Sequence, residues 1–304
     1  MTKKSVDPAP PPYPWHLWLG IAIMVAAQLL LIRGSEFVAT WMTPIMWTGY
    51  ILTVDALVYK LQGRSWFKSR LREVPFLIFA SVGIWILFEA YNFHLKNWQY
   101  VGLPENMFIR DLGFFWSFAT IMPGVFETAD LLNALFPKIS RDNLNPPASC
   151  GLSKRDWVSI VMGALMVTLP LFLNQDIAAY LFALVWIGFI PLLDPINKRL
   201  GAPSLFLHWK NRNQRLIIII LFAGLICGFL WETWNYQAFQ AQGAYWVYTI
   251  PQPLRIFGWH FGKMPILGLL GFPPFALELF AFYQLIRKIS LGERIFGPRE
   301  GTIP

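Results

Sequence analysis

Apolar residues gather in eight blocks of 17 to 24 residues, at 15–32, 37–59, 75–93, 112–135, 157–173, 177–196, 216–236 and 264–286. Short polar segments separate them. A helix of about 20 residues spans the roughly 30 Å of hydrocarbon in a bilayer. The pattern therefore predicts an all-α fold, a polytopic membrane helix bundle with about eight transmembrane helices. A polar tail over 1–14, with Pro8, Pro10, Pro11, Pro12 and Pro14, predicts an extended segment and not a packed element.

Three signatures occur twice, in the same order. Trp47-x-Gly49-Tyr50-Ile51-x-x-x-Asp55 returns as Trp186-x-Gly188-Phe189-Ile190-x-x-x-Asp194. Phe88-Glu89-Ala90-Tyr91-Asn92-Phe93, followed by Trp98-x-Tyr100, returns as Trp231-Glu232-Thr233-Trp234-Asn235-Tyr236, followed by Trp246-x-Tyr248. Pro123-x-x-x-Glu127 returns as Pro274-x-x-x-Glu278. The offsets grow steadily from 139 to 151 residues, as loop insertions between two copies would make them. Four spans per copy is an even number, so both copies insert the same way up. The expected organisation is two parallel four-helix repeats, at 15–145 and 146–290, with a terminal tail at 291–304.

Charge sharpens this picture. The net charge is +8, and 20 of the 25 Lys and Arg fall in the N-terminal tail, three alternate loops and the C-terminal tail. The positive-inside rule then puts both termini in the cytoplasm, and the expected location is a bacterial inner (plasma) membrane. The basic balance reflects topology, so no nucleic-acid partner is expected, and the lipid bilayer is the first partner. The two cysteines, Cys150 and Cys227, indicate neither a disulfide framework nor a thiolate metal site. No phosphate-binding Gly loop, zinc motif or nucleophile elbow is present, and no metal or cofactor is expected.

Seven of the 17 acids lie inside the apolar blocks: Asp55, Glu89, Glu127, Asp130, Asp194, Glu232 and Glu278. Each costs about 2.5–3.5 kcal/mol at mid-membrane, so they should face the bundle interior or a wet cavity. Glu89 lies 14 residues after Pro75, about 21 Å along a helix. Glu89 and Glu232 thus form an outer layer, and Glu127 and Glu278 an inner one. A Pro one turn before Glu127 and Glu278 breaks the helix ladder, and interrupted spans at matching positions of two halves point to a site. Glu127 and Glu278 are the first candidates for catalytic acids, with Glu89 and Glu232 beside them. Asn92, Asn235, Trp98, Tyr100, Trp246, Tyr248, Pro123 and Pro274 are candidates for substrate contact. Each has a plainer role to set against this. Glu89 and Asn92 could bond Trp or Tyr donors and lock helices together. The four loop aromatics could sit in an interfacial belt. Asp55 and Asp194 could form ion pairs with Lys60, Lys198 and Arg199, or serve as relay groups.

At the Glu-x-x-Asn motif, the Trp-x-Tyr loop and the Pro-x-x-x-Glu helix, the chain resembles the lycopene cyclase domain and carotenoid hydratase-like membrane proteins. The cyclase-type Pro-x-Glu-Glu pair is replaced here by a single Glu four residues after Pro. The resemblance implies acid-initiated addition to, or cyclisation of, an isoprenoid or carotenoid, with helix carboxyls as proton donors. The residues themselves leave two alternatives: a proton- or cation-coupled transporter built on the two layers of acids, or a scaffold subunit in which the acids only join helices. Neither reading specifies an oligomeric state.

Overall fold

The structure, a computed structural model, describes residues 11–136, 151–211 and 214–290. Most of the Pro-rich tail, the loop with Cys150 and the C-terminal tail lie outside the described residues. The chain is nearly all helical, in the order α1 (His16–Ile32), α2 (Glu36–Gln62), α3 (Trp66–Ser69), α4 (Val74–Leu95), α5 (Met107–Ala119), α6 (Ile121–Leu135), α7 (Lys154–Phe172), α8 (Gln175–Ala178), α9 (Phe182–Leu200), α10 (Leu205–Lys210), α11 (Arg215–Gln240) and α12 (Ile266–Ile289). Four short strands interrupt it: β1 (Trp98–Val101), β2 (Tyr245–Tyr248), β3 (His260–Phe261) and β4 (Met264–Pro265).

All eight apolar blocks are helical, and six helices are long and apolar enough to cross a membrane: α2, α4, α7, the run Gln175–Leu200 that carries α8 into α9, α11 and α12. Large apolar side chains such as Trp18, Phe79 and Phe172 are exposed on the bundle's outer faces. Such a surface suits lipid and not water. The molecule is an integral membrane protein.

The other two blocks differ from a single long helix for visible reasons. α1 is apolar but only 17 residues long. The fourth block is divided at Thr120 into α5 and α6. Pro123 has no N–H to return to the carbonyl of Ala119, so the ladder fails there. Ser81 of α4 fills the break: its hydroxyl donates to the Phe118 carbonyl (2.5 Å) and accepts from the Met122 N–H (3.0 Å). A neighbouring helix thus satisfies backbone groups that hydrocarbon would leave unpaired. α2 is also kinked, with non-helical angles at Trp41 (φ −107°, ψ 19°) three residues before Pro44.

Side-chain caps mark several helix starts. Ser35 caps α2 and Asn106 caps α5, and Ser153 with Asp156 forms a reciprocal capping box on α7. α1 packs along α2 and α7 along α9. In both pairs a glycine sets the approach. A Cβ on Gly49 would lie 2.6 Å from Met24 Cγ, and one on Gly188 would lie 2.8 Å from Val167 Cγ1. α6 packs between α2 and α11, and α12 against α9 and α11. One buried cluster runs through both halves of the chain.

Candidate functional site

The two Glu-x-x-Asn motifs do the same local work. Asn92 is in the last turn of α4, where the helix ends at left-handed Lys96 (φ 50°). Its Oδ1 accepts from the Asn97 N–H (2.8 Å) and the Trp98 N–H (3.2 Å), and its Nδ2 donates to the Trp98 carbonyl (2.9 Å). In α11, Asn235 Oδ1 accepts from the Trp246 N–H (2.9 Å), and Nδ2 donates to the Trp246 carbonyl (3.1 Å). Each amide presents a donor and an acceptor to one main-chain residue, as a neighbouring strand would.

The two tethered segments are strands, and they pair. β1 runs antiparallel to β2, with Trp98 opposite Tyr248 and Tyr100 opposite Trp246. The four loop aromatics therefore lie together on one ribbon.

The ribbon borders a cavity of about 120 Å³ between α2, α4, α5, α9, α11 and α12. Trp98, Tyr100, Trp246 and Tyr248 all line it. Its remaining wall is rich in aromatic residues, and Trp85 is the hub. The Trp85 ring stacks on Trp231 (6.3 Å between centroids, 22° between planes) and meets Trp98 at 5.9 Å and Trp186 at 6.4 Å. The two broken helices contribute directly: Trp41, Thr43 and Pro44 from the kink in α2, and Phe118 and Ile121 from either side of Thr120.

The outer acids stand just behind this wall. Glu89 Oε1 accepts from Tyr100 Oη (2.5 Å), Trp85 Nε1 (2.8 Å) and Trp98 Nε1 (3.1 Å). Trp85 belongs to α4 itself and Trp98 and Tyr100 to β1 just after it, so these donors do not join α4 to another helix; all three are cavity residues. Burial first, and the Glu89 carboxylate second, push the Tyr100 phenol well above its usual 10. Tyr100 therefore remains a protonated donor at neutral pH.

Glu232 is fully buried and bound differently. It accepts the main-chain N–H of Lys263, in the turn between β3 and β4, and Asn235 Nδ2 at 3.1 Å. Gly262 makes this approach feasible. Its backbone is left-handed (φ 59°), and a Cβ there would lie 2.5 Å from Glu232 Oε1. Burial and the nearby Glu232 carboxylate also hold the Tyr248 phenol well above 10.

The structure places the inner acids away from this cavity. Glu127 and Glu278 are buried (2% and 0% exposed), and neither lines it. Glu127 sits among carboxyls, near Asp55 and Asp130. Glu278 Oε1 accepts the Phe189 N–H (3.0 Å). In each, Oε2 has no protein hydrogen-bond partner. Pro123 and Pro274 are not cavity residues, but their neighbours Ile121 and Phe272 are.

Asp55 and Asp194 bind main chain and hydroxyls in place of the lysines expected beside them. Asp55 accepts from Ser65 Oγ (2.8 Å) and the Phe67 N–H (2.9 Å), and also meets His16 Nε2 (2.8 Å). Asp194 accepts from Ser204 Oγ (2.6 Å) and the N–H groups of Leu205 (2.6 Å) and Phe206 (2.9 Å). Each pins the short helix that follows, α3 or α10. Lys60 donates instead to the Pro11 carbonyl, and Lys198 pairs with Asp156 (2.6 Å). Backbone groups at a helix start need partners, and a carboxylate already buried beside them supplies those at once.

Sequence reasoning missed Arg110, Trp41, Trp85, Trp186 and Trp231 as wall residues. Pro44 inside the second block was the signal that could have found Trp41. Among the described residues, no group of three or more His, Cys, Asp or Glu side chains could hold a metal ion. No family model, curated protein or solved structure matches this chain.

Proposed function

We propose that this protein is an intramembrane enzyme that binds an elongated isoprenoid-class molecule in the aromatic cavity and adds a proton to it. The observation that carries the reading is one arrangement: an indole-lined cavity with a carboxyl group, Glu89, hydrogen-bonded to three of its wall residues. An alkene protonated by a carboxylic acid becomes a carbocation. Indole faces stabilise cations by about 0.5–2 kcal/mol each. The cation is then quenched by water, whose extra proton returns to the Glu89 carboxylate, or by losing a C–H proton to that carboxylate. Glu89 takes the donor role because it hydrogen-bonds three wall residues, whereas the hydrogen bond of Glu278 goes to Phe189, outside the wall. Glu232 holds the β3–β4 turn.

The reading includes eight spans in two parallel repeats, with both termini cytoplasmic. Its support is that α1 is about 25 Å long, and that α5 and α6 follow one another with only Thr120 between. The matched Asn tethers, Asp-pinned helices and glycine contacts in the two halves support duplication.

The test is mass spectrometry of lipid extracts from a carotenoid-producing host. Wild-type protein is expected to yield a hydrated or cyclised isoprenoid, and Glu89→Gln to abolish it. An unchanged profile with folded wild-type protein in the membrane refutes the reading. Loss of product in Glu127→Gln with retention in Glu89→Gln moves the acid to the inner layer.

A further inference from the structure

Arg110 is the feature that a purely hydrocarbon ligand leaves unexplained. It lies in the first turn of α5, is partly buried and lines the cavity. Its guanidinium has no hydrogen bond, ion pair or ring contact with any described residue, although Glu105 and Asp111 lie near it in sequence. Several buried or half-buried cations have partners: Arg287 binds Glu73 (2.7 Å), Lys198 binds Asp156 (2.6 Å) and Arg215 binds Asn133. A guanidinium drawn partly out of water is costly without an anion, and its planar fork matches the two oxygens of a phosphate or carboxylate.

The same wall holds two further polar groups in need of partners. Thr43 Oγ1 and Asn97 Oδ1 belong to cavity residues that are 8% and 2% exposed, and neither atom has a protein hydrogen-bond partner. Buried polar atoms of this kind are ordinarily satisfied by protein, water or ligand. Apart from Thr40 and Ser117, the rest of the wall, including Trp85, Phe182, Trp186, Trp231 and Phe272, is apolar or aromatic. The cavity thus combines one unpaired cation and a few polar atoms with a broad aromatic surface.

We propose that the ligand is an anionic amphiphile: one apolar chain ending in a phosphate or carboxylate, with the oxyanion on Arg110 and the chain against the tryptophans. This rests on the reading of the cavity as the ligand site, and narrows it by excluding an uncharged hydrocarbon. A free oxyanion would use Arg110 and leave the aromatic wall empty, so head and chain are both required.

The test is titration of the purified full-length protein in neutral detergent, followed by tryptophan fluorescence. The probes are farnesyl phosphate, farnesoate, farnesol and inorganic phosphate. Farnesyl phosphate or farnesoate is expected to bind at least about tenfold more tightly than farnesol, the range expected for charge-assisted hydrogen bonds. Arg110→Gln is expected to erase that preference, and Arg110→Lys to keep part of it. Equal binding of farnesol and both anions, or an undiminished preference in folded Arg110→Gln, overturns the inference and leaves the cavity reading standing. Competition by inorganic phosphate as strong as that by farnesyl phosphate also overturns it. If no farnesyl compound binds the wild type, the cavity reading fails with it.

Discussion

Replacing Asn235 by Ala tests whether the amide tether holds the ribbon over the cavity. Asn235 is fully buried, and its side chain makes hydrogen bonds to the Trp246 N–H (2.9 Å), the Trp246 carbonyl (3.1 Å) and Glu232 (3.1 Å). At about 1 kcal/mol for each lost bond, the variant loses about 3 kcal/mol. Asn92 also makes three bonds, but it is only half-buried, and water can replace part of them. Asn92→Ala should cost about half as much. A domain of 150–250 residues shifts by about 2–4 °C per kcal/mol. For a chain of this size the lower end applies, which gives a fall of about 6 °C for Asn235→Ala and about 3 °C for Asn92→Ala. Asn235→Asp keeps an acceptor for the Trp246 N–H, but sets an oxygen against the Trp246 carbonyl and Glu232. It should be at least as unstable as the alanine variant. Thermal unfolding in detergent, read by tryptophan emission, measures all three. A melting temperature for Asn235→Ala within about 1 °C of wild type refutes the argument, as does a larger loss in Asn92→Ala.

Two further outcomes follow from side chains outside the cavity. Burial alone would raise the Glu73 carboxyl, but the charge of Arg70 and hydrogen bonds from Arg70, Tyr283 and Arg287 outweigh it and hold the group at about 2 against the usual 4.5. The folded value is the lower one, so this stabilisation is complete above pH 4.5 and is lost as the pH falls from there towards 2. Wild type should lose on the order of 3 kcal/mol more than Glu73→Gln across that window, measured by chemical denaturation at each pH; parallel acid profiles for the two proteins would contradict the assignment. Ser81→Ala leaves the Phe118 carbonyl and the Met122 N–H unpaired at the break between α5 and α6, and should cost about 2–4 kcal/mol. A variant that melts with the wild type would show that another group fills the break.

Much of the bundle was legible before any coordinates. Helices are local: a run of some twenty apolar residues, ended by turn residues, forms one wherever lipid or protein covers it. The blocks at 75–93 and 216–236 accordingly became Val74–Leu95 and Arg215–Gln240. The doubled Glu-x-x-Asn motif was legible as well, because an amide three residues after an acid shares its helical face. The division at Thr120 was half visible: Pro123 marked the broken ladder, but Ser81, which satisfies it, comes from another helix.

The eight apolar blocks determined by themselves that this chain is a membrane-spanning helical bundle. The tertiary structure decided where chemistry could occur. Trp98 and Tyr248 are 150 residues apart in sequence yet face each other across a strand pair, and no local pattern records that pairing. The inner acids with their adjacent prolines carried the stronger sequence signal, but packing put them among other buried groups and left the cavity to Trp85, Tyr100 and Arg110. The physical reason is range. Hydrophobic length is written along the chain, whereas a cavity and an unpaired cation are properties of how distant helices fail to fill the space between them.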